Sequence, residues 1–220
     1  PGDSPKTDIG SFEITENLEY RRDIYLYWQG IAPYLENGDE FTYKIVCVER
    51  SGKKLAIRPN NTTRTYAIFK NMTYESHKFE LVATNVVGPN PNKSVIYVPS
   101  KLEIPNEPVS FTKIAFETEG KYELSWKPPL PSRREITTYT IFWCENERDR
   151  PYLCTGYLQW DRVPANTTVF NVTVPNPRKV YQFAISANTA YSSSGMVWAS
   201  CTVIANRVVG KMKTVWINSI

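Results

Sequence analysis

The stretch YELSWKPPLPSRREITTYTIFWCENERDRPYLC, residues 122–154, decides the fold. In YELSW, with which it opens, the apolar side chains occupy every second position, which is the period of a strand with one buried face. The prolines of KPPLP, residues 127–131, fix φ and remove backbone donors, so the strand ends there in a loop. TTYTIFWCE, residues 137–145, alternates again and predicts a second strand.

The cysteine of this second strand lies on the outward parity. Tyr139, Ile141 and Trp143 share the inward parity, so we expect Cys144 to face outward. Cys154 follows across a short polar loop, and in a chain with secretory features a local disulfide explains this pair better than core packing does. The sequence therefore predicts a disulfide between Cys144 and Cys154.

The other two cysteines differ from this pair. Cys47 shares the inward parity of Tyr43 and Ile45 and has no partner in its own part of the chain, so we expect a free, buried thiol. A covalent link to another chain is the alternative. The pairing of Cys201 stays open, because its surroundings, WASCTVIA, have no clear parity.

The chain repeats this pattern. IYLYW, residues 24–28, matches YELSW, and FTYKIVCVE, residues 41–49, matches TTYTIFWCE. FELVATN, residues 79–85, matches FAISANT, residues 183–189, in the same order. Two tandem copies explain these matches. The residues that we expect in the two cores are Trp28, Tyr43, Trp126, Tyr139 and Tyr181.

The repeat sets the expected domain boundaries. We expect one domain over residues 1–100, a linker over 101–108 and a second domain over 109–206. Prolines make the linker short and stiff. Residues 207–220 either open a following copy or extend the second domain, and we expect the former.

Composition indicates an all-β, extracellular chain. The 220 residues suit two small domains, and 13% of them are aromatic. The net charge of +4 is mild and the charges are interleaved, which argues against nucleic-acid binding. No apolar run approaches the roughly 18 residues that a membrane helix needs, so we expect no membrane insertion by this segment. No signal peptide opens the chain, and we expect an excised piece of an extracellular protein.

Glycosylation acceptors support that compartment. N-x-S/T occurs at Asn60, Asn61, Asn71, Asn92, Asn166 and Asn171. Adjacent Asn60 and Asn61 are not both expected to carry a sugar, because the two sugars would collide. The alternative is that these asparagines simply populate turns.

The chain resembles fibronectin type III domains. The residues that carry the resemblance are Trp126, Pro129, Tyr139 and YQFAISAN, residues 181–188. An immunoglobulin domain would instead place its tryptophan between two bridged cysteines, and that pattern is absent. The resemblance implies tandem fibronectin type III, immunoglobulin-like β-sandwiches.

The family also implies a corner tyrosine, whose hydroxyl ties the strand back to the preceding loop. Tyr181 holds this place in the second copy, and His77 holds it in the first. His77 is the only histidine, so a pH switch is conceivable, but a substituted corner residue is the favoured interpretation. No catalytic role is assigned to it.

The second copy resembles a membrane-proximal domain of class I cytokine receptors of the interleukin-six signal-transducer type. That family has W-C, P-C and D-W in order, with its cysteines bridged; here WC, PYLC and QWD occur, with Trp160 and Asp161 inverted. Within the family, the invertebrate Domeless-type receptor of the JAK/STAT pathway is most similar. The resemblance covers the second copy well and the first only as a generic module.

This resemblance implies part of a single-pass receptor at the plasma membrane. The full receptor would bind a protein cytokine and dimerise, with no cofactor. W-S-x-W-S, which marks the cytokine-binding module, is absent from both copies; Trp198 stands alone in GMVWAS. We therefore expect a spacer, or stalk, between that module and the membrane.

Other functions receive less support. The chain has no nucleophile motif, phosphate loop or metal-spaced cysteine pair, so we expect neither an enzyme nor a metal site. The rival is the fibronectin-module portion of a cell-adhesion molecule or receptor tyrosine phosphatase. R-G-D is absent, and flanking sequence would decide between these families.

Overall fold

The computed structural model describes most of the chain as two compact units, Pro1–Ile104 and Pro105–Ile220. The described part runs over residues 2–217, and only the backbone is described for 202–217. The residues within it that are not described are 8, 18–19, 49–54, 64, 117–119, 131–133, 147–153, 200–201 and 209–210. The division falls inside the predicted linker, residues 101–108. The precise domain boundaries stay a prediction.

The first unit is built from short strands with one apolar face. They are β1 (Ile9–Glu16), β2 (Arg22–Trp28), β3 (Thr42–Val48), β4 (Asn61–Thr62), β5 (Tyr66–Met72), β6 (His77–Asn85), β7 (Gly88–Pro89) and β8 (Ser94–Val98). One sheet has the order β1-β2-β5-β4. In the other, β6 pairs with β3, β7 and β8. Every pairing in the unit is antiparallel.

The second unit repeats this plan and adds strands at its C-terminal end. Its strands are β9 (Val109–Phe116), β10 (Lys121–Lys127), β11 (Thr138–Glu145), β12 (Gln159–Pro164), β13 (Val169–Thr173), β14 (Tyr181–Asn188), β15 (Val197–Trp198), β16 (Thr202–Val208) and β17 (Lys211–Ile217). The sheets have the orders β13-β10-β9-β16-β17 and β12-β11-β14-β15. β16 runs parallel to β9, and the other pairs are antiparallel.

Each unit is a sandwich with a buried tryptophan in its core. Trp28 is fully buried, with its ring centroid 5.6 Å from that of Tyr43. Trp126 is 3% exposed, with its ring centroid 5.5 Å from that of Tyr139. Period-two alternation directs these side chains inward from both sheets. The predicted fold class is confirmed: the chain forms tandem fibronectin type III β-sandwiches.

The structure places the other expected core residues as follows. Tyr139 and Tyr181 are buried, whereas Tyr43 is only partly buried at the edge of its core. The Tyr43 hydroxyl accepts a hydrogen bond from the backbone N–H of Ile31 at 2.7 Å. Partial exposure of this ring is explained by its polar end, which reaches the loop after β2.

The C-terminal strand departs from our expectation. We expected residues 207–220 to open a following copy, but β17 pairs along its length with β16. A strand that is close in sequence to an unpaired edge closes a small loop at little entropic cost. The strand Lys211–Ile217 therefore extends the second unit's sheet, and the domain assignment of residues 207–220 stays a prediction.

We predict that replacing Trp126 with Ala destabilises the second unit by about 3 to 5 kcal/mol, because it removes a buried indole and leaves a cavity. Hydrogen exchange resolved by peptide should show lost protection in β10 and β14, with β2 and β6 unchanged. Trp28→Ala is the matched control, and it should reverse this pattern. Equal exchange in both units after Trp126→Ala would contradict the core assignment.

Candidate functional site

A disulfide closes the loop that follows β11. Cys144 and Cys154 are bonded, with their Cα atoms 5.7 Å apart. The flanking backbone is also tied, since the N–H of Thr155 donates to the carbonyl of Glu145 at 2.8 Å. The Glu145 carboxylate pairs with Lys179 at 3.1 Å, which links the base of the loop to the segment before β14. Residues 147–153 of this charged loop lie outside the described part.

The outward side of β11 itself is buried, which corrects one expectation. Cys144 has the predicted outward parity but is only 1% exposed. Phe142, on the same face, is also buried, and the ring centroid of Trp160 on β12 lies 6.3 Å from its own. Alternation in the sequence predicts the side of the strand on which a side chain lies. Whether that side chain is buried depends on what packs against it. Thr140, Phe142 and Cys144, on the outward side of β11, are therefore all buried.

The two units differ at the corner, which is the turn before the long central strand: β6 in the first unit and β14 in the second. In the second, Tyr181 is 4% exposed, and its hydroxyl has no hydrogen-bond partner among the described residues. The tie that the family implies is therefore not made there. In the first, His77 lies at the equivalent place, with its Nε2 3.5 Å from the Thr73 hydroxyl.

Arg22 supplies the tie in the first unit, and sequence reasoning missed it. Its side chain is 1% exposed. Nε donates to the carbonyl of Thr73 at 3.0 Å, and Nη2 donates to the carbonyl of Glu75 at 2.6 Å. Burial lowers the pKa of this guanidinium, whereas the Glu16 carboxylate raises it. The available signal was parity, because Arg22 lies on the same side of the strand pattern as Ile24, Leu26 and Trp28.

Burial and the neighbouring Arg22 guanidinium lower the pKa of His77 to about 4. Both effects disfavour the imidazolium. His77 is then neutral throughout the range from pH 5 to 8 in which histidine switches operate. The geometry thus favours a substituted corner residue.

The other predicted site residues are separate from this corner. Each acceptor asparagine is exposed: Asn60, Asn61, Asn71, Asn92, Asn166 and Asn171. Cys47 is a buried free thiol, and burial raises its pKa. Cys201 lies outside the described residues. The sequons are open to modification, and their occupancy stays a prediction.

The described residues contain neither a metal-binding cluster nor a membrane-spanning helix. No cluster of three or more His, Cys, Asp or Glu side chains could hold a metal ion there. Within the same residues, no helix has the length and apolar character to cross a membrane.

We predict that Cys144→Ala with Cys154→Ala destabilises the second unit by roughly 2.5 to 3 kcal/mol, because the bond closes a short loop in the unfolded chain. The free energy of unfolding in denaturant measures this. Peptide mapping without reductant should recover the bridged peptides, with Cys47 as the alkylated control. Recovery of Cys144 as a free thiol would refute the pairing.

We predict that the single histidine titrates near pH 4, well below its unfolded value of about 6.5. Because the unfolded chain binds the proton first, the first unit loses stability as pH falls from about 6.5 to 4. NMR titration of the ring carbons measures the midpoint, and His77→Gln controls for carboxylate titration. A midpoint between 6 and 7 would contradict the buried, neutral corner.

The chain is similar in sequence to two receptor proteins. No protein-family model matches the chain. A Drosophila melanogaster protein described as a cytokine receptor is 24% identical over 217 residues, which cover 97% of this chain. The human oncostatin-M-specific receptor subunit beta is 30% identical over 168 residues, which cover 74% of this chain. The match spans 16% of the length of each relative.

The similar solved structures include fibronectin domains. A two-domain segment of chicken tenascin is 16% identical, with 87% of this chain and 97% of that chain covered and a TM-score of 0.35. Fibronectin domains 1 to 3 of chicken CNTN1 are 14% identical, with 99% and 69% covered and a TM-score of 0.33. The strand pairing and the sequence similarity to the two receptors together support the fibronectin type III region of a cytokine receptor.

Proposed function

We propose that this chain is a spacer in the extracellular part of a single-pass cytokine receptor at the plasma membrane, of the Domeless type in the JAK/STAT pathway. Sequence similarity to two cytokine receptors over tandem fibronectin domains is the observation that carries the proposal. The exposed sequons and the disulfide suit an oxidising, extracellular compartment. The domains do no chemistry in this proposal.

The sequence of the strands that would carry the cytokine-module signature favours a spacer over a ligand-binding module. On β14, the outward positions beside Trp198 are Gln182, Ala184 and Ser186, and none of these is an arginine or a lysine. In the first unit, Lys78 Nζ lies 5.9 Å from the Tyr97 ring centroid. Neither strand sequence interleaves arginines with tryptophans, which is the pattern expected of the cytokine-binding module.

The mechanism in this proposal is geometric. The full receptor binds a protein cytokine and dimerises, and the spacer domains set how its chains hold their intracellular kinases. A short segment with prolines at 105 and 108 suits that task, because it transmits orientation better than a flexible linker does. The adhesion-molecule or receptor-phosphatase alternative is not favoured, since the two named relatives are a cytokine receptor and an oncostatin-M-specific receptor subunit.

We predict that deleting residues 105–220 from the full receptor leaves cytokine affinity nearly unchanged and reduces signalling. The deletion removes one whole compact unit, which leaves the first unit intact. Surface binding measures affinity, and STAT phosphorylation measures signalling. Substituting a different fibronectin domain of the same length is the control, and it should restore part of the signal. Loss of cytokine binding while the remaining domains stay folded would instead indicate a direct binding surface.

A further inference from the structure

The chain leaves the first unit through a turn that packs on that unit. After β8, the backbone N–H groups of Glu103 and Ile104 donate to the carbonyl of Ser100 at 2.9 and 3.1 Å. The Ser100 hydroxyl also donates to the Glu103 carboxylate at 3.1 Å. Ile104 is partly buried against the first core. The first half of the predicted linker is therefore ordered on the first unit.

Lys101, inside this turn, contacts two other segments. Its backbone N–H donates to the carbonyl of Tyr74 at 2.9 Å. Its Nζ lies 4.4 Å from the centroid of the Tyr74 ring and 2.9 Å from the Glu16 carboxylate at the end of β1. One side chain thus joins the exit turn, the corner before β6 and the end of β1.

The corner that bears Tyr74 is itself held from inside. Buried Arg22 binds the carbonyls of Thr73 and Glu75, the residues on either side of Tyr74. An exposed ion pair alone orders little, because water and salt compete with it. Here the aromatic ring is presented by a fixed turn, so the cation–π contact and the backbone hydrogen bond act on a preformed surface.

The residue that follows the turn is a proline. Ile104 precedes Pro105, which confines Ile104 to extended conformations. The Asn106 side chain then donates to the carbonyl of Leu130, within the second unit, at 3.3 Å. The turn up to Ile104 thus belongs to the first unit, and the chain from Pro105 onward belongs to the second.

We propose that Lys101 is a positioning residue: its contacts with Tyr74 and Glu16 fix the direction in which the chain leaves the first unit. The consequence for signalling rests on the proposed spacer function. The ordering of the exit turn does not depend on that function, so the two can be tested separately.

The ordering is tested by ¹⁵N relaxation on residues 1–220. Lys101→Met keeps the apolar stem over the ring and removes the charge, and Tyr74→Leu removes the ring. Both should lower the amide order parameters of residues 101–104 from about 0.85 toward 0.6. Lys93→Met is the matched control, because it breaks another lysine–glutamate pair of the first unit, with Glu80 at 3.0 Å, away from the exit turn. Tyr74→Phe keeps the ring and should resemble the wild type.

Unchanged order parameters in Lys101→Met, relative to Lys93→Met, would overturn the proposal. Amide spectra of β2 and β6 should stay unchanged in every variant, which separates local release from unfolding of the unit. In the full receptor, Lys101→Met should keep cytokine affinity and lower STAT phosphorylation relative to Lys93→Met. A released turn with unaltered signalling would uphold the role of Lys101 in ordering the turn and refute the spacer mechanism.

Discussion

Burial of one tryptophan between two sheets is the constraint on which each sandwich depends. Trp28 and Trp126 come from equivalent strands, β2 and β10, and each packs against a tyrosine of the facing sheet. Neither indole N–H has a hydrogen-bond partner among the described residues, so each core accepts the cost of one unsatisfied donor. The large apolar surface of the indole outweighs that cost, because stabilisation grows with the area removed from water. The strands on either side are ordered around this contact.

The second unit goes further and buries both faces of its central strand. Every residue of β14 from Tyr181 to Ala187 is buried, although the sequence alternates as in a strand with one exposed face. The disulfide, Phe142 and Trp160 lie on the outer side. Protection on both sides leaves this strand few routes to local opening. This protection suits the proposed spacer function, in which the unit has to keep its shape.

The two copies differ at the corner before the long central strand. In the second, a buried tyrosine makes no side-chain hydrogen bond among the described residues, whereas in the first a buried guanidinium binds two backbone carbonyls. Because Arg22 fixes the turn from inside, Tyr74 can face outward and meet Lys101. The buried Arg22 side chain is thus connected, through Tyr74 and Lys101, to the segment that leaves the unit. His77 is a neutral, partly buried neighbour of the guanidinium.

The sequence by itself determined the strands, the two-copy organisation and the tryptophan cores. Period-two alternation is a local property, because alternate side chains of a strand point to opposite faces of its sheet. It also predicted the pairing of Cys144 with Cys154, which are close in the chain. The tertiary structure alone decided that the outward face of Cys144 is covered, that β17 joins the second sheet, and that Arg22 and Lys101 hold the corner and the exit turn. These contacts join residues up to 85 positions apart, and no local pattern encodes which distant segments meet.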